Sequence, residues 1–484
     1  MGEAGVLAHL AENPACLTPA RAARAGRRRF PRLSNYNSRY PHDPTQTPMT
    51  RHAASLLLAL VLALAPARAA VEIDVKGGGV RKINVAVGEF AGEKDLLKRG
   101  RLRELISYVV VNDLTRSGYF RASINPKIDH APSSGAFPFH RELRSQKFEF
   151  ALVGKVEAEP GGETRVTYEL FDTITERSLG SFAYEAKADQ ARRIAHEISN
   201  WIHEQVLNEP GPFTSKIAYV LRRSQTAFEL RVADYDGFNA QTVVSSPEAM
   251  MSPEWSADGN HILYVSFEND KPVVYRLSLL EGRRQVVANF RGNNSAPAIA
   301  PDNRVIAALS KDGPTQLYWI PSEGREPRRL RTSLGIDTEP DFAPDGRRLA
   351  FMSDAGGSPQ IYLMDLTSTD TPARRVSRGS NYSVSPAFSP DGKHLAYVLR
   401  TSRGVYNIAV ANVDSGEAQT ITKARLADSP SFAPNGRILL FKDETNPAIL
   451  NTISLNDRIR VPFERSEDGE VIDPVWGPSE SDWY

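Results

Sequence analysis

The sequence predicts a multi-domain protein in which an N-terminal α/β domain precedes an all-β six-bladed β-propeller. Three observations predict it. A proline, an aromatic or aliphatic residue two positions on, and a turn close to Ser-Pro-Asp-Gly recur from Pro253, Pro297, Pro340, Pro386, Pro430 and Pro474, at spacings of 44, 43, 46, 44 and 44 residues. A repeat of this length built from short strands is the signature of propeller blades. Upstream of Asn208 the pattern instead mixes helical and strand periodicities, as an α/β domain requires. Finally, each end of the repeat region carries an incomplete unit.

In chain order, residues 1–48 read as a non-native or disordered extension, with Met49 the more natural start. Residues 49–69 read as a signal peptide: Arg51 and His52 form the charged n-region, Ala53 to Ala65 the apolar run, and Ala67-Arg68-Ala69 the cleavage site. That apolar run is too short to span a bilayer comfortably. The first 69 residues hold nine arginines and three acids, and the remainder carries 50 basic and 55 acidic side chains. The exported part is therefore mildly acidic, with no nucleic-acid footprint. The single cysteine, Cys16, lies in the leader, so the mature chain is expected to lack disulfides and thiolate metal sites; a large exported domain with its own core does not need them.

Residues 70–80 alternate Val71, Ile73 and Val75 before Gly77-Gly78-Gly79, a short strand on a hinge. Residues 81–207 are assigned to the α/β domain. Ile83 to Gly88 is a buried-strand pattern, and residues 102–117 place Leu102, Leu105, Ile106, Val109, Val110, Asp113 and Leu114 at helical spacing. Phe148–Val156, Thr164–Phe171 and Leu179–Ala186 read as three antiparallel strands, and Ala188 to Leu207 as a second helix. Asn208-Glu-Pro-Gly-Pro-Phe213 forms the linker, spanning residues 208–214, and residues 215–484 form the propeller.

Within each unit, Pro presets φ and Asp-Gly supplies turn geometry, so these residues recur for backbone reasons. The position two beyond the proline (Trp255, Ile299, Phe342, Phe388, Phe432, Trp476) is expected between blades as core. Ser215 to Val220 resembles the second strand of a unit that lacks its first strand, and Pro474-Val-Trp476 is a first strand with nothing after it. Joined, they form one blade from both chain ends, which with five whole units makes six and hides the sheet edges.

Catalytic constellations are scarce. No Gly-x-Ser-x-Gly elbow occurs, which disfavours a serine hydrolase. His196 and His203 sit seven apart, each followed by Glu, whereas a zinc-binding His-Glu-x-x-His needs i, i+4 spacing; both are expected to be surface or semi-buried histidines. Asp234-Tyr-Asp236-Gly237 has calcium-loop character, but falls where other units place a turn. The basic run at residues 325–331 is expected to be a solvated blade edge. No catalytic residue, cofactor or metal ligand is assigned. Binding is then the expected activity, carried by the loops entering each inner strand. These include Met251-Ser252, Asn293-Asn294-Ser295, Asp337-Thr338-Glu339, Ser383-Val384-Ser385, Ala427-Asp428-Ser429 and Ile472-Asp473.

Several strings carry a family resemblance: Asn112-Asp-Leu-Thr-Arg-Ser-Gly-Tyr-Phe120, Leu152-Val-Gly-Lys-Val156, Tyr168-Glu-Leu-Phe-Asp172, Lys216-Ile-Ala-Tyr-Val220, Leu230 to Gly237 and Met251-Ser-Pro-Glu-Trp255. With the domain order they make residues 70–484 resemble the TolB family, periplasmic components of the Tol-Pal system. The resemblance implies a non-enzymatic protein linking the inner-membrane TolQ-TolR-TolA complex to Pal, the peptidoglycan-associated lipoprotein, in support of outer-membrane integrity and division. It implies that TolA recognises Ala70, Val71, Glu72, Ile73, Asp74 and Val75, a segment suited to β-strand addition. It implies Pal binding at the propeller mouth through Asn294, Ser295, Thr338 and Glu339. Where the family often has histidine, this chain carries Asn293. The expected state is a periplasmic monomer, peripheral to the outer membrane through Pal. An extracytoplasmic propeller hydrolase and a carbohydrate-binding propeller are the alternatives.

Overall fold

The computed structural model describes residues 81–92, 105–128, 131–132, 136–159, 163–187, 190–321, 325–368, 372–423, 425–443, 445–463 and 467–479. The first sheet contains β1 (Ile83–Val87), β2 (Phe120–Ile124), β3 (Phe150–Ala158), β4 (Glu163–Asp172) and β5 (Arg177–Lys187) in the order β2-β1-β3-β4-β5. Strand β1 is parallel to both neighbours, and β3 to β5 form an antiparallel meander. Helices α1 (Ile106–Arg116) and α3 (Ala191–Leu207) cover one face, packing Ile106, Val110, Ile198 and Ile202 against Val85, Leu152 and Leu170. A six-residue helix, α2 (His140–Ser145), lies on the other face with Phe137 and Phe171. Strand β2 and helix α2 go beyond the sequence reading, because neither has a long enough periodic run to stand out.

Helix α1 ends at Ser117, and Gly118 follows with φ +82°. A Cβ at Gly118 would stand 2.2 Å from Ser454 Oγ of the propeller. Glycine is therefore required twice, by the left-handed turn and by the close approach of the two domains.

Six four-stranded sheets form the propeller. The three strands after the linker are β6 (Lys216–Ser224), β7 (Ala227–Asp234) and β8 (Gln241–Ser246). The first whole blade comprises β9 (Met250–Trp255), β10 (His261–Ser266), β11 (Val273–Ser278) and β12 (Arg284–Ala288). Blades two to five begin with inner strands Asn294–Ile299, Asp337–Phe342, Ser383–Phe388 and Ala427–Phe432. The sixth blade is composite. Its inner strand, Glu470–Trp476, pairs antiparallel with β6, from Glu470 opposite Arg222 to Trp476 opposite Ile217.

The residue two beyond each proline is buried, from Trp476 at 5% exposure to Phe342 and Phe388 at 8%. Each of the six packs into the preceding blade: Trp255 joins Ala218 and Val220, and Trp476 joins Ile438 and Leu440. Trp476 also donates from Nε1 to Ser215 Oγ at 2.7 Å, so the closing strand is held by a side-chain bond as well as by its ladder. Among the described residues, no helix is long and apolar enough to cross a membrane.

Candidate functional site

All six inner strands enter the sheet at one rim, and all break their register next to the recurring proline. The residue before each proline is left-handed: Ser252 (φ 52°), Ala296 (43°), Glu339 (51°), Ser385 (53°), Ser429 (50°) and Asp473 (46°). None is glycine, and a following proline further disfavours helical backbone at that position. Each is thus a strained β-bulge, and bulges re-aim side chains at sheet ends. Six of them make a ring at the mouth of the central channel.

Carboxylates tie this ring together from blade to blade. Asp473 of the composite blade accepts the Ser252 N–H at 2.9 Å, and Glu339 accepts the Ser385 N–H at 2.7 Å. One layer deeper, Asp341 accepts the Phe388 N–H at 2.6 Å. Glu254 occupies the position equivalent to Asp341, on the strand face opposite the core residues Trp255 and Phe342. Burial raises the Glu339 carboxyl to about 7, with the Asp428 and Asp473 charges adding to the shift. Burial likewise pushes Asp341 up, and it lifts Glu254 well above the carboxylate range, helped by the Asp341 charge. The mouth is thus an acidic rim whose buried carboxyls are held above their ordinary range. Glu254 and Asp341 escape sequence reasoning, although an acid directly after the proline in two of six repeats was the available signal.

The four residues expected to meet Pal all lie at this rim, in blades two and three. Asn294 is fully buried. Its Oδ1 accepts the Phe290 N–H at 2.7 Å, and its amide donates to the carbonyls of Pro272, Phe290 and Gly292. It therefore shapes the loop, leaving Ser295, Thr338 and Glu339, all half-buried, as the groups at the surface. Ser295 accepts from Asn293 Nδ2 at 2.7 Å. In the same loop, Asp337 is buried and receives Arg331 through two 2.9 Å bonds. The basic run at 325–331 is consequently not a uniform solvated edge: Arg331 is spent on Asp337, and Arg329 on Tyr318 and Asp312. The expected TolA segment, Ala70 to Val75, lies outside the described residues.

A second polar cluster joins the two domains. His196 and His203, expected at the surface or semi-buried, are buried at 3% and 0% exposure. The sequence reading failed here because groups distant in sequence cover them, α1 and the propeller's Tyr235 and Asp236 for His196 and the Tyr119 and Phe120 rings for His203, which helical spacing does not reveal. His196 Nδ1 lies 2.8 Å from Asp113 Oδ2 of α1, and its Nε2 lies 3.6 Å from Asp236 Oδ2 of the propeller. Tyr235 donates to Asp113 Oδ1 at 2.5 Å, and Arg192 donates to Asp236. Burial alone would lower the His196 pKa, but Asp113 and Asp236 outweigh it and raise it. For Asp236 the same His196 and Arg192 charges outweigh burial and hold it low. His203, buried and donating to the Glu209 carbonyl at 2.9 Å, is pushed down.

Asp113, His196 and Asp236 offer ligand atoms within 4.8 Å of one another, as a cation site would. The imidazole nevertheless lies between the two carboxylates, and Arg192 already neutralises Asp236. A charge-balanced latch between domains describes this arrangement better. Arg437 with Glu209 and Lys82 with Asp457 brace the same interface at 2.6 and 2.7 Å.

Comparison with known proteins follows the two-domain geometry. Residues 71–179 match the TolB amino-terminal domain, and residues 203–480 match the TolB beta propeller domain. The chain belongs to the TolB family. The Tol-Pal system protein TolB of Bordetella parapertussis is 41% identical over 429 residues, covering 88% of this chain and 94% of the relative. That of Bordetella pertussis is 40% identical over 433 residues, covering 88% and 95%. The crystal structure of TolB from Acinetobacter baumannii superposes with a TM-score of 0.73 at 30% identity, covering 83% of this chain and 98% of that one. The family resemblance carried by the flanking strings and the domain order, and the propeller expected from the six-fold repeat, are thereby borne out.

Proposed function

We propose that this chain is a non-enzymatic periplasmic interaction component of the Tol-Pal system. It binds Pal at the propeller mouth and TolA through residues 70–75. Family membership supports the system, and the leader at residues 49–69 supports the compartment. The observation that carries the mouth assignment is the ring of six left-handed bulges, strained by roughly 1–3 kcal/mol each and linked by shared carboxylates. Strain retained at six equivalent positions turns the rim into a rigid, polar, acidic socket, suited to a protein loop rich in hydrogen-bond donors. Ser295, Thr338 and Glu339 supply direct contacts, and Asn294 holds the loop that presents Ser295.

Capture experiments with purified Pal and TolA from the same organism test this reading. Wild-type protein is expected to retain both. Glu339→Lys is expected to weaken Pal binding by about ten-fold or more through charge inversion at a desolvated contact, with TolA capture unchanged. Deleting residues 70–76 is expected to give the opposite pattern. Pal binding that persists undiminished in Glu339→Lys would remove the mouth as its site.

A further inference from the structure

A groove of about 1000 Å³ runs between blades one and two and reaches Phe290, in the loop that leads into the mouth at Asn294. Its walls are β12, which contributes Gln285, Val286 and Val287, and the blade-two segments around Trp319 and Arg328. Strand β12 is the last strand of its sheet, so one of its backbone edges is unpaired. Facing it, the outer strand of blade two is only two residues long, Arg328–Arg329, which leaves the groove open along most of its length.

Four arginines converge here from separate elements: Arg276 from β11, Arg304 from a blade-two turn, and Arg325 and Arg328 from the basic run. Arg304 is paired with Asp302 and stacks over Trp319 at 4.7 Å. The other three have no carboxylate within ion-pair distance among the described residues. Arg276 is half-buried, its Nε has no hydrogen-bond partner, and its guanidinium reaches only the Asn303 carbonyl at 3.4 Å. Burial lowers its pKa, a cost that an incoming anion offsets. Three guanidiniums without an ion pair among the described residues, with Arg276 feeling only the more distant Asp258 charge, stand out on a chain whose residues beyond 69 carry 50 basic and 55 acidic groups.

We propose that this groove docks an extended acidic segment of a partner polypeptide, laid along the free edge of β12 with its carboxylates on Arg276, Arg325 and Arg328. Guanidinium forks match carboxylates bidentately. An open strand edge supplies main-chain bonds, and Val287, Phe290 and Trp319 receive the alternate apolar side chains. The concave shape fits an extended strand.

The test uses a fluorescently labelled peptide alternating glutamate and valine, with an alternating lysine and valine peptide and phosphatidylglycerol vesicles as comparison arms. Wild-type protein is expected to bind the acidic peptide saturably, and more weakly by about ten-fold between about 50 and 300 mM salt. The variant R325E/R328E alters two exposed side chains and is expected to lose about ten-fold or more of that affinity. Its melting temperature and its capture of Pal are expected to be unchanged, so failure here is separable from failure of the mouth assignment. Arg347→Glu, at an exposed turn of blade three, is the charge control and is expected to bind like wild type. No saturable binding, equal loss in both variants, or vesicles held as tightly through the same two arginines would overturn the proposal.

Discussion

His196 lies between two buried carboxylates, one from each domain, so its charge state sets the strength of the interface. Its raised pKa means that this contribution is complete below the unfolded value of 6.5 and disappears as pH rises through the higher folded value. Glu339, raised to about 7, acts in the same direction. Its folded form holds a proton that the unfolded chain releases near the model-peptide value of 4.5, so stability again declines as pH rises toward 7. Carboxylates held low, such as Asp236, oppose this only in more acid solution. His203, pushed down by burial, opposes this below its unfolded value of 6.5, so the urea midpoint is expected to fall between about pH 7 and 8.5, and to fall less steeply in His196→Gln. A midpoint flat or rising over that window counts against the latch. Replacing His196 by alanine leaves Asp113 and Asp236 facing one another, and is expected to cost about 3–5 kcal/mol.

At the scale of the strand, the recurring Pro-x-aromatic phrase combines two roles with different visibility. The aromatic or aliphatic position reads as core from the sequence because burial selects its residue type, and it is core. The bulge before the proline does not read out, because Ser, Ala, Glu and Asp at that position carry none of the glycine signature that normally marks left-handed backbone. Ala296, with φ 43°, has no side-chain function to set against its strain. Ala296→Gly is expected to stabilise the protein by about 1 kcal/mol, and the β-branched Ala296→Val to destabilise it by more than that. Differential scanning calorimetry on the pair distinguishes strain from packing: a loss of stability in both variants would show that the methyl group, not the backbone, matters there.

Over the whole molecule, ring closure depends on seven residues, Glu470–Trp476, that complete the sheet begun by β6. They bring Val471 and Trp476 into the cluster that contains Phe213, Ile217 and Tyr235. Since Tyr235 also reaches Asp113 and lies beside His196, closure of the ring and docking of the α/β domain share a core. A chain ending at residue 469 is expected to lose cooperative unfolding and to aggregate through the exposed edge of β6. Retention of a sharp single transition in that truncation would show that the ring stands without its closing strand.

Fold class and blade number were legible because they rest on local physics: turn residues at fixed offsets, alternation along strands, and a repeat whose phases can be counted from one end of the chain to the other. The helical face containing Ile194, Ile198 and Ile202 was legible for the same reason, yet its neighbours His196 and His203 were misjudged. Their burial depends on groups more than thirty residues away in sequence: Asp113 of α1 at 2.8 Å and Asp236 of the propeller for His196, and the rings of Tyr119 and Phe120 for His203. The sequence alone therefore determined the repeat, the blade count, the two-domain order and the loops at the mouth. Tertiary structure decided which charges meet: the Asp113–His196–Asp236 latch, the acidic rim and the arginine groove between blades. Backbone preference and hydrophobic period act over a few residues and are written in order along the chain, whereas electrostatic environment is set by groups that only folding brings within a few ångströms.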